Sequence, residues 1–173
     1  MPQFIHLADD REIASIRKTG IKAHATFANY SAFKGPAEKW VYATPVLQNY
    51  YLSHQWLREL KRQGIRTISA VQFRLADDTP VKVGRYNEAH LDLTAAEAVR
   101  IFMDHTDGLG LEVMIPGSID PRAITRTYTP DQITGWRYYP EAHASGRKPC
   151  GCAYCLRGQI KNRKRREAFE RGE

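Results

Sequence analysis

The stretch WVYATPVLQNYYLSHQWLRELKRQG, residues 40–64, changes its period part-way along. WVYATP reads as a short strand that Pro45 ends, because proline lacks the backbone donor that a ladder needs. Leu47, Tyr51, Trp56, Leu57 and Leu60 then recur near helical spacing until Gly64 stops them. Upstream, PQFIHL reads as a first strand with His6 near its end. DDREIASIRKTGI follows as a helix: Asp9 caps it, Glu12 completes a capping box, Ile13 and Ile16 share a face, and Gly20 ends it. Residues 25–38 show no period and read as a loop. Downstream, TISAVQFRL alternates as a strand, with Ile68, Ala70 (or Val71) and Phe73 inward. PVKVGRY is another strand, and TAAEAVRIFMDH a helix with Thr94 as N-cap and Glu97 closing a capping box. GLGLEVMIP is a strand ended by Pro116, and DPRAITRTYTPDQITGWRYY alternates turn residues with short extended pieces. Many short strands with only three helices predict an α+β fold rather than a regular βαβ alternation.

A chain of 173 residues builds one ordinary domain with a real core. With 42% apolar and 26% charged residues it is globular rather than disordered. No apolar run approaches the roughly 20 residues that cross a bilayer, and no secretory signal is visible, so residence in the cytoplasm and no membrane contact are expected. The net charge of +7 is concentrated at one end. From Arg147 onward nine Lys or Arg stand against three Glu, whereas the residues before hold seventeen basic and sixteen acidic side chains. A nearly neutral body with a basic arm suits a polyanionic partner, nucleic acid ahead of membrane; a solvated tail is the plainer reading. The expected division is residues 1–140 as the body and 141–173 as a Cys-rich basic extension.

Several chemistries are absent as motifs: no Walker loop, no GxGxxG, and no HExxH among the scattered histidines. Glu112 stands alone among Leu111, Val113 and Ile115, and carboxylates are seldom buried unless paired or functional. Alternation offers a plainer account, with Glu112 and Met114 facing outward on an edge strand. Arg85 and His90 flank a loop after a strand, with solvent, a target or a phosphate as their partner.

His6 at the end of a strand, Tyr42 on a strand leading to a Tyr-bearing helix, and Glu112 on a late strand follow one another in a fixed order. That order resembles the H-Y-E arrangement of the ADP-ribosyltransferase superfamily, in the branch typified by poly-ADP-ribose polymerases and diphtheria-type toxins. VYATPVLQNYY is similar to that family's strand–helix element, and EVMIPGSIDPRAI looks like the late strand of DarT-type toxins that modify nucleic acid. The resemblance covers roughly residues 3–128. It implies a single domain whose split antiparallel sheet surrounds an NAD cleft, with NAD consumed as substrate. It implies that His6 bonds a ribose hydroxyl, the Leu7 backbone grips the nicotinamide carboxamide, and Tyr42 with Tyr50 or Tyr51 stacks on the nicotinamide ring. Glu112 would be the catalytic carboxylate on the nicotinamide ribose. Leu7 departs from the Gly that many members carry after the His. Gly110 replaces the Glu or Gln of the arginine-modifying branch, which points the acceptor away from protein arginine. An RNA or DNA acceptor and a toxin or phage-defence role, with an antitoxin protein as a possible partner, complete what the likeness implies.

In GRKPCGCAYCLRG, Cys150, Cys152 and Cys155, with His143 upstream, offer soft ligands for a tetrahedral zinc ion; free thiols in a loop are the alternative. Beyond them Arg157, Lys161, Lys164 and Arg165 recur at three- and four-residue steps and would line one helix face against phosphates. Trp136, Tyr138 and Tyr139 suit base stacking or a core equally. Two rival readings stand beside the transferase: a non-enzymatic nucleic-acid binder using the Cys-rich module, and an NAD-dependent RNA 2′-phosphotransferase.

Overall fold

The structure, a computed structural model, describes residues 1–25, 39–86, 88–105, 107–137, 164 and 167–172. The chain divides into two compact units, Met1–Gly135 and Trp136–Glu173. In the second, a helical turn over residues 167–170 is described, along with Trp136, Arg137 and an exposed, helical Lys164.

The first unit opens with β1 (Gln3–Asp9), a 3-10 turn (Asp10–Glu12) and α1 (Ile13–Thr19). Then come β2 (His24–Ala25), β3 (Lys39–Pro45), α2 (Tyr50–Ser53), α3 (Leu57–Arg62), β4 (Ile68–Arg74) and β5 (Pro80–Arg85). It continues with β6 (Leu91–Thr94), α4 (Ala95–Asp104), β7 (Leu111–Pro116), a second 3-10 turn (Pro121–Ala123) and β8 (Ile124–Tyr128). The strands form one antiparallel sheet in the order β6-β5-β7-β3-β1-β4-β8, with β2 attached to β3 off that path. The fold is a mixed helix-and-sheet one with antiparallel pairing, as the count of short strands predicts.

One face of the sheet carries the core. Phe4, Val41, Ala43, Val71, Phe73, Val81, Val83, Val113 and Ile115 are buried, and Ile16 of α1 with Ala95, Ala98 and Phe102 of α4 completes the cluster. The register places the alternate set on the other face, among them Leu7, Tyr42, Ala70, Glu112 and Tyr128. The helical segment after β3 meets that face, where the Thr44 hydroxyl donates to the Ser53 carbonyl at 2.6 Å.

Three local expectations are corrected, and one strand is added. The Asp9–Glu12 capping box does not form: the Asp9 carboxylate accepts from the Arg11 N–H and guanidinium, and a 3-10 turn precedes α1. The long helix expected after Leu47 is two short ones, because the chain turns at residues 54–56 to seat buried Gln55. Residues 91–94 add β6, a strand too short to show a period. Finally, Glu112 does not face outward on an edge: β7 lies between β5 and β3, and Glu112 is only 8% exposed. Residues 26–38, most of the expected loop, lie outside the described residues.

Candidate functional site

His6, Leu7, Tyr42 and Glu112 come from three consecutive strands of the sheet, β1, β3 and β7. The β1–β3 ladder has only two register pairs, Phe4↔Pro45 and Ile5↔Thr44. On its other side β1 stays paired with β4 along its whole length, to Asp9↔Ile68. The sheet therefore splits between β1 and β3 at the level of His6 and Leu7. Gln3 turns its carbonyl toward β3, accepting from the Val46 N–H at 2.9 Å. Because strand residues alternate between their two neighbours, Leu7 also turns its N–H and C=O toward β3, beyond the last pair.

The Tyr42 carbonyl across the split is taken by a side chain: His6 Nδ1 donates to it at 2.8 Å. A carbonyl only accepts, so Nδ1 carries the proton and Nε2 is left as an acceptor. Burial pushes the His6 pKa down, with nearby His24 adding to the effect and the Tyr42 bond opposing it. The neutral ring is thus favoured. By alternation His6 leaves β1 on the side of Phe4 and Ala8, the opposite face from Tyr42 and Glu112. The interrupted ladder is what lets its ring reach the Tyr42 carbonyl.

Tyr42 is paired with Met114, and Glu112 lies two residues before Met114, so Tyr42 and Glu112 project from the same face of β3–β7. Opposite Glu112 in the β5 register is Gly84. His90 leans over this glycine and sets Nε2 3.2 Å from Glu112 Oε1, while its Nδ1 donates to the Glu88 carbonyl at 2.9 Å. The bond to Glu112 raises the His90 pKa, against an opposing pull from burial. The turn that delivers Glu112 is clamped from the segment between α2 and α3. The fully buried Gln55 accepts from the Gly110 N–H at 2.7 Å and donates to the Gly108 carbonyl at 3.0 Å. The Trp56 indole donates to the Leu111 carbonyl at 3.0 Å. Arg85 holds the same turn by its carbonyls, donating to Leu109 and Asp107 at 2.6 Å each.

Tyr50 and Tyr51 are both exposed in α2, and Tyr50 is held by neighbours on two sides. Its ring stacks on His54 with centroids 3.9 Å apart, and its hydroxyl accepts from the Asp131 N–H at 3.1 Å. His54 donates from Nδ1 to the Tyr50 carbonyl at 2.9 Å, so its Nε2 accepts from the Tyr128 hydroxyl at 2.7 Å. Desolvation lowers the His54 pKa and raises that of Tyr128. The Arg126 guanidinium lies 4.7 Å over the Tyr128 ring. The sequence singled out neither Gln55 nor His54. Their one signal is polarity at helical positions otherwise occupied by Trp56, Leu57 and Leu60.

Two surface recesses, about 480 and 330 Å³, are lined by other residues: Gln3, Val46 and Asp77 in one, Trp40, Lys82 and Asp92 in the other. Cys150, Cys152, Cys155, His143, Arg157, Lys161 and Arg165 lie outside the described residues. Among the described residues no group of three metal-ligating side chains converges, and no helix is long and apolar enough to cross a membrane. No family model, curated protein or solved structure matches the chain.

Proposed function

We propose that the chain is an NAD-dependent mono-ADP-ribosyltransferase whose acceptor is a nucleic acid, RNA or DNA. The observation that carries this reading is the split beside Leu7, bordered by the strands that bear His6, Tyr42 and Glu112. A carboxamide presents an N–H and a C=O side by side, and a strand edge is its complement. Among the described residues the edge at Leu7 is unpaired toward β3, and it offers both groups without a glycine, because the contact uses backbone alone. His6 Nε2 accepts a ribose hydroxyl only in the neutral ring, the form that burial favours, and the Tyr42 carbonyl keeps that ring's proton on Nδ1. Tyr42 supplies a flat apolar face that excludes water next to the carboxylate.

In this reading the bond between ribose and nicotinamide breaks with its electron pair going to the ring nitrogen, which turns a pyridinium into neutral nicotinamide. Positive charge develops on the ribosyl carbon. Glu112, bonded to a ribose hydroxyl and held in a site of low exposure, offsets that charge. The acceptor nucleophile then adds to the carbon and loses a proton to solvent or to Glu112. The pinned Tyr50 ring is the better of the two helix tyrosines for stacking, since its orientation is already fixed. The extension beyond residue 140 serves in the same reading as the nucleic-acid arm, with zinc on Cys150, Cys152, Cys155 and His143 as its clip.

Incubation with labelled NAD and, in parallel, RNA, DNA and protein tests the reading. Label is expected on nucleic acid. Glu112→Gln is expected to slow transfer by about 10²–10³, roughly 3–4 kcal/mol of barrier, as for other preorganised electrostatic groups. No label on any acceptor, or full activity in Glu112→Gln, removes the transferase.

A further inference from the structure

We propose that His90 is the positioning residue of Glu112: as an imidazolium seated on Gly84, it fixes one carboxylate oxygen and leaves the other to the substrate hydroxyl. This rests on the transferase reading above and adds to it the device that aims its carboxylate.

Both ring nitrogens of His90 face acceptors. Nδ1 lies 2.9 Å from a carbonyl, which has no proton to give. Nε2 lies 3.2 Å from Glu112 Oε1, which has none when ionised. With Glu112 ionised, both bonds form together only when the ring carries two protons. The pair is enclosed, with side-chain exposures of 14% for His90 and 11% for Glu112, so each charge depends on the other. Among the described residues, Lys82 of β5 is the other charged group acting on the ring, and its ammonium is engaged by Asp92 of β6 at 2.6 Å.

The seat is specific. Gly84 stands opposite Glu112 in the β5–β7 register, and a Cβ on it would come within 2.8 Å of His90 Cγ and 2.9 Å of the Ala89 carbonyl oxygen. Only a residue without a side chain leaves room for the ring to pass over β5 and reach β7. Among the described residues, the hydrogen bond to Glu112 goes to Oε1, and none goes to Oε2. An anchored oxygen beside an open one is a carboxylate with its rotamer chosen in advance. Without the anchor, the enclosed carboxylate loses its charge partner and the side chain turns freely.

The test measures kcat and KM for labelled NAD in wild type, His90→Ala, His90→Gln and Gly84→Ala, together with the imidazole titrations by NMR. His90→Ala is expected to lower kcat about 10²-fold, the cost of misplacing a reacting group by about 1 Å, with KM little changed. His90→Gln, whose amide still donates, is expected to recover part of the loss. Gly84→Ala, which evicts the ring, should behave like His90→Ala. The His90 pKa is raised in the fold, so its second proton is present at lower pH and leaves as pH rises through that raised value. Wild-type kcat should fall along that limb, and the limb should vanish in His90→Gln. Glu112→Gln should move the His90 titration back toward the ordinary imidazole value.

Unchanged kcat in His90→Ala, a loss confined to KM, or the same alkaline limb in His90→Gln overturns the proposal while leaving the transferase in place. A wild-type chain that transfers no label overturns the transferase reading instead. The NMR titration needs no substrate, so it judges the pair in either case: a His90 titration indifferent to Glu112→Gln overturns it.

Discussion

Gln55 shows how one side chain sets the geometry of a turn to which it does not belong. Its side-chain hydrogen bonds reach Gly108, Gly110 and Leu111, between 53 and 56 residues further along the chain. Replacing it with leucine leaves a buried N–H and two buried carbonyls without that partner. Each unsatisfied group costs about 1–3 kcal/mol, partly recovered by water or relaxation. Gln55→Leu is therefore expected to lose about 2–3 kcal/mol of stability, read from the denaturant midpoint at unchanged slope. The same substitution should loosen the approach to Glu112. Composition alone made Glu112 conspicuous, because a carboxylate among Leu111, Val113 and Ile115 needs an explanation. What alternation could not give was its cover. Period two fixes which face a side chain takes but says nothing of a histidine arriving over Gly84 from a loop. Gln55 was illegible for the matching reason: its purpose lies in partners far along the chain.

Among the elements, α4 is the one read correctly at both levels. Thr94 accepts from the Glu97 N–H while the Glu97 carboxylate accepts from the Thr94 N–H and hydroxyl, and all of that chemistry lies within four residues. Thr94→Ala is expected to cost about 1 kcal/mol, measurable as a shift in the unfolding midpoint. Asp9 and Glu12 offer the same spacing and a different result. Arg11 reaches the Asp9 carboxylate first and holds its pKa down to about 2. Asp120 and Arg122 repeat the device at the second 3-10 turn, again with the carboxyl held down to about 2. The same spacing was thus a true capping box at Thr94 and a misleading one at Asp9, where an arginine stands two residues beyond the cap. The helix expected to run from Leu47 to Gly64 failed for a different reason. Helical spacing was present, but the chain bends at His54–Trp56 to satisfy bonds to β7 and β8, which the local period does not encode.

At the scale of the molecule, the count of short strands was enough to give a mixed fold with antiparallel pairing. The order of the strands was not legible, since β7 enters between β5 and β3 through pairings of long sequence separation. Charge distribution is the other whole-molecule feature that the sequence states openly, with its excess beyond residue 146. If that arm holds phosphates, removing residues from Arg147 onward weakens nucleic-acid binding, and the log–log salt slope falls by about 0.9 for each duplex phosphate that is no longer neutralised. An unchanged slope would put the phosphate-binding groups on residues 1–146. The sheet itself has one weak seam. Opening it between β1 and β3 breaks two register pairs, the Val46–Gln3 bond and the His6–Tyr42 bond, whereas every other seam along the path breaks at least four pairs. The two halves are leaves on a short hinge, and the gap beyond the hinge runs past His6 and Leu7. A guest lying across that gap would act as a rivet, so occupancy and stiffness of the sheet become one variable.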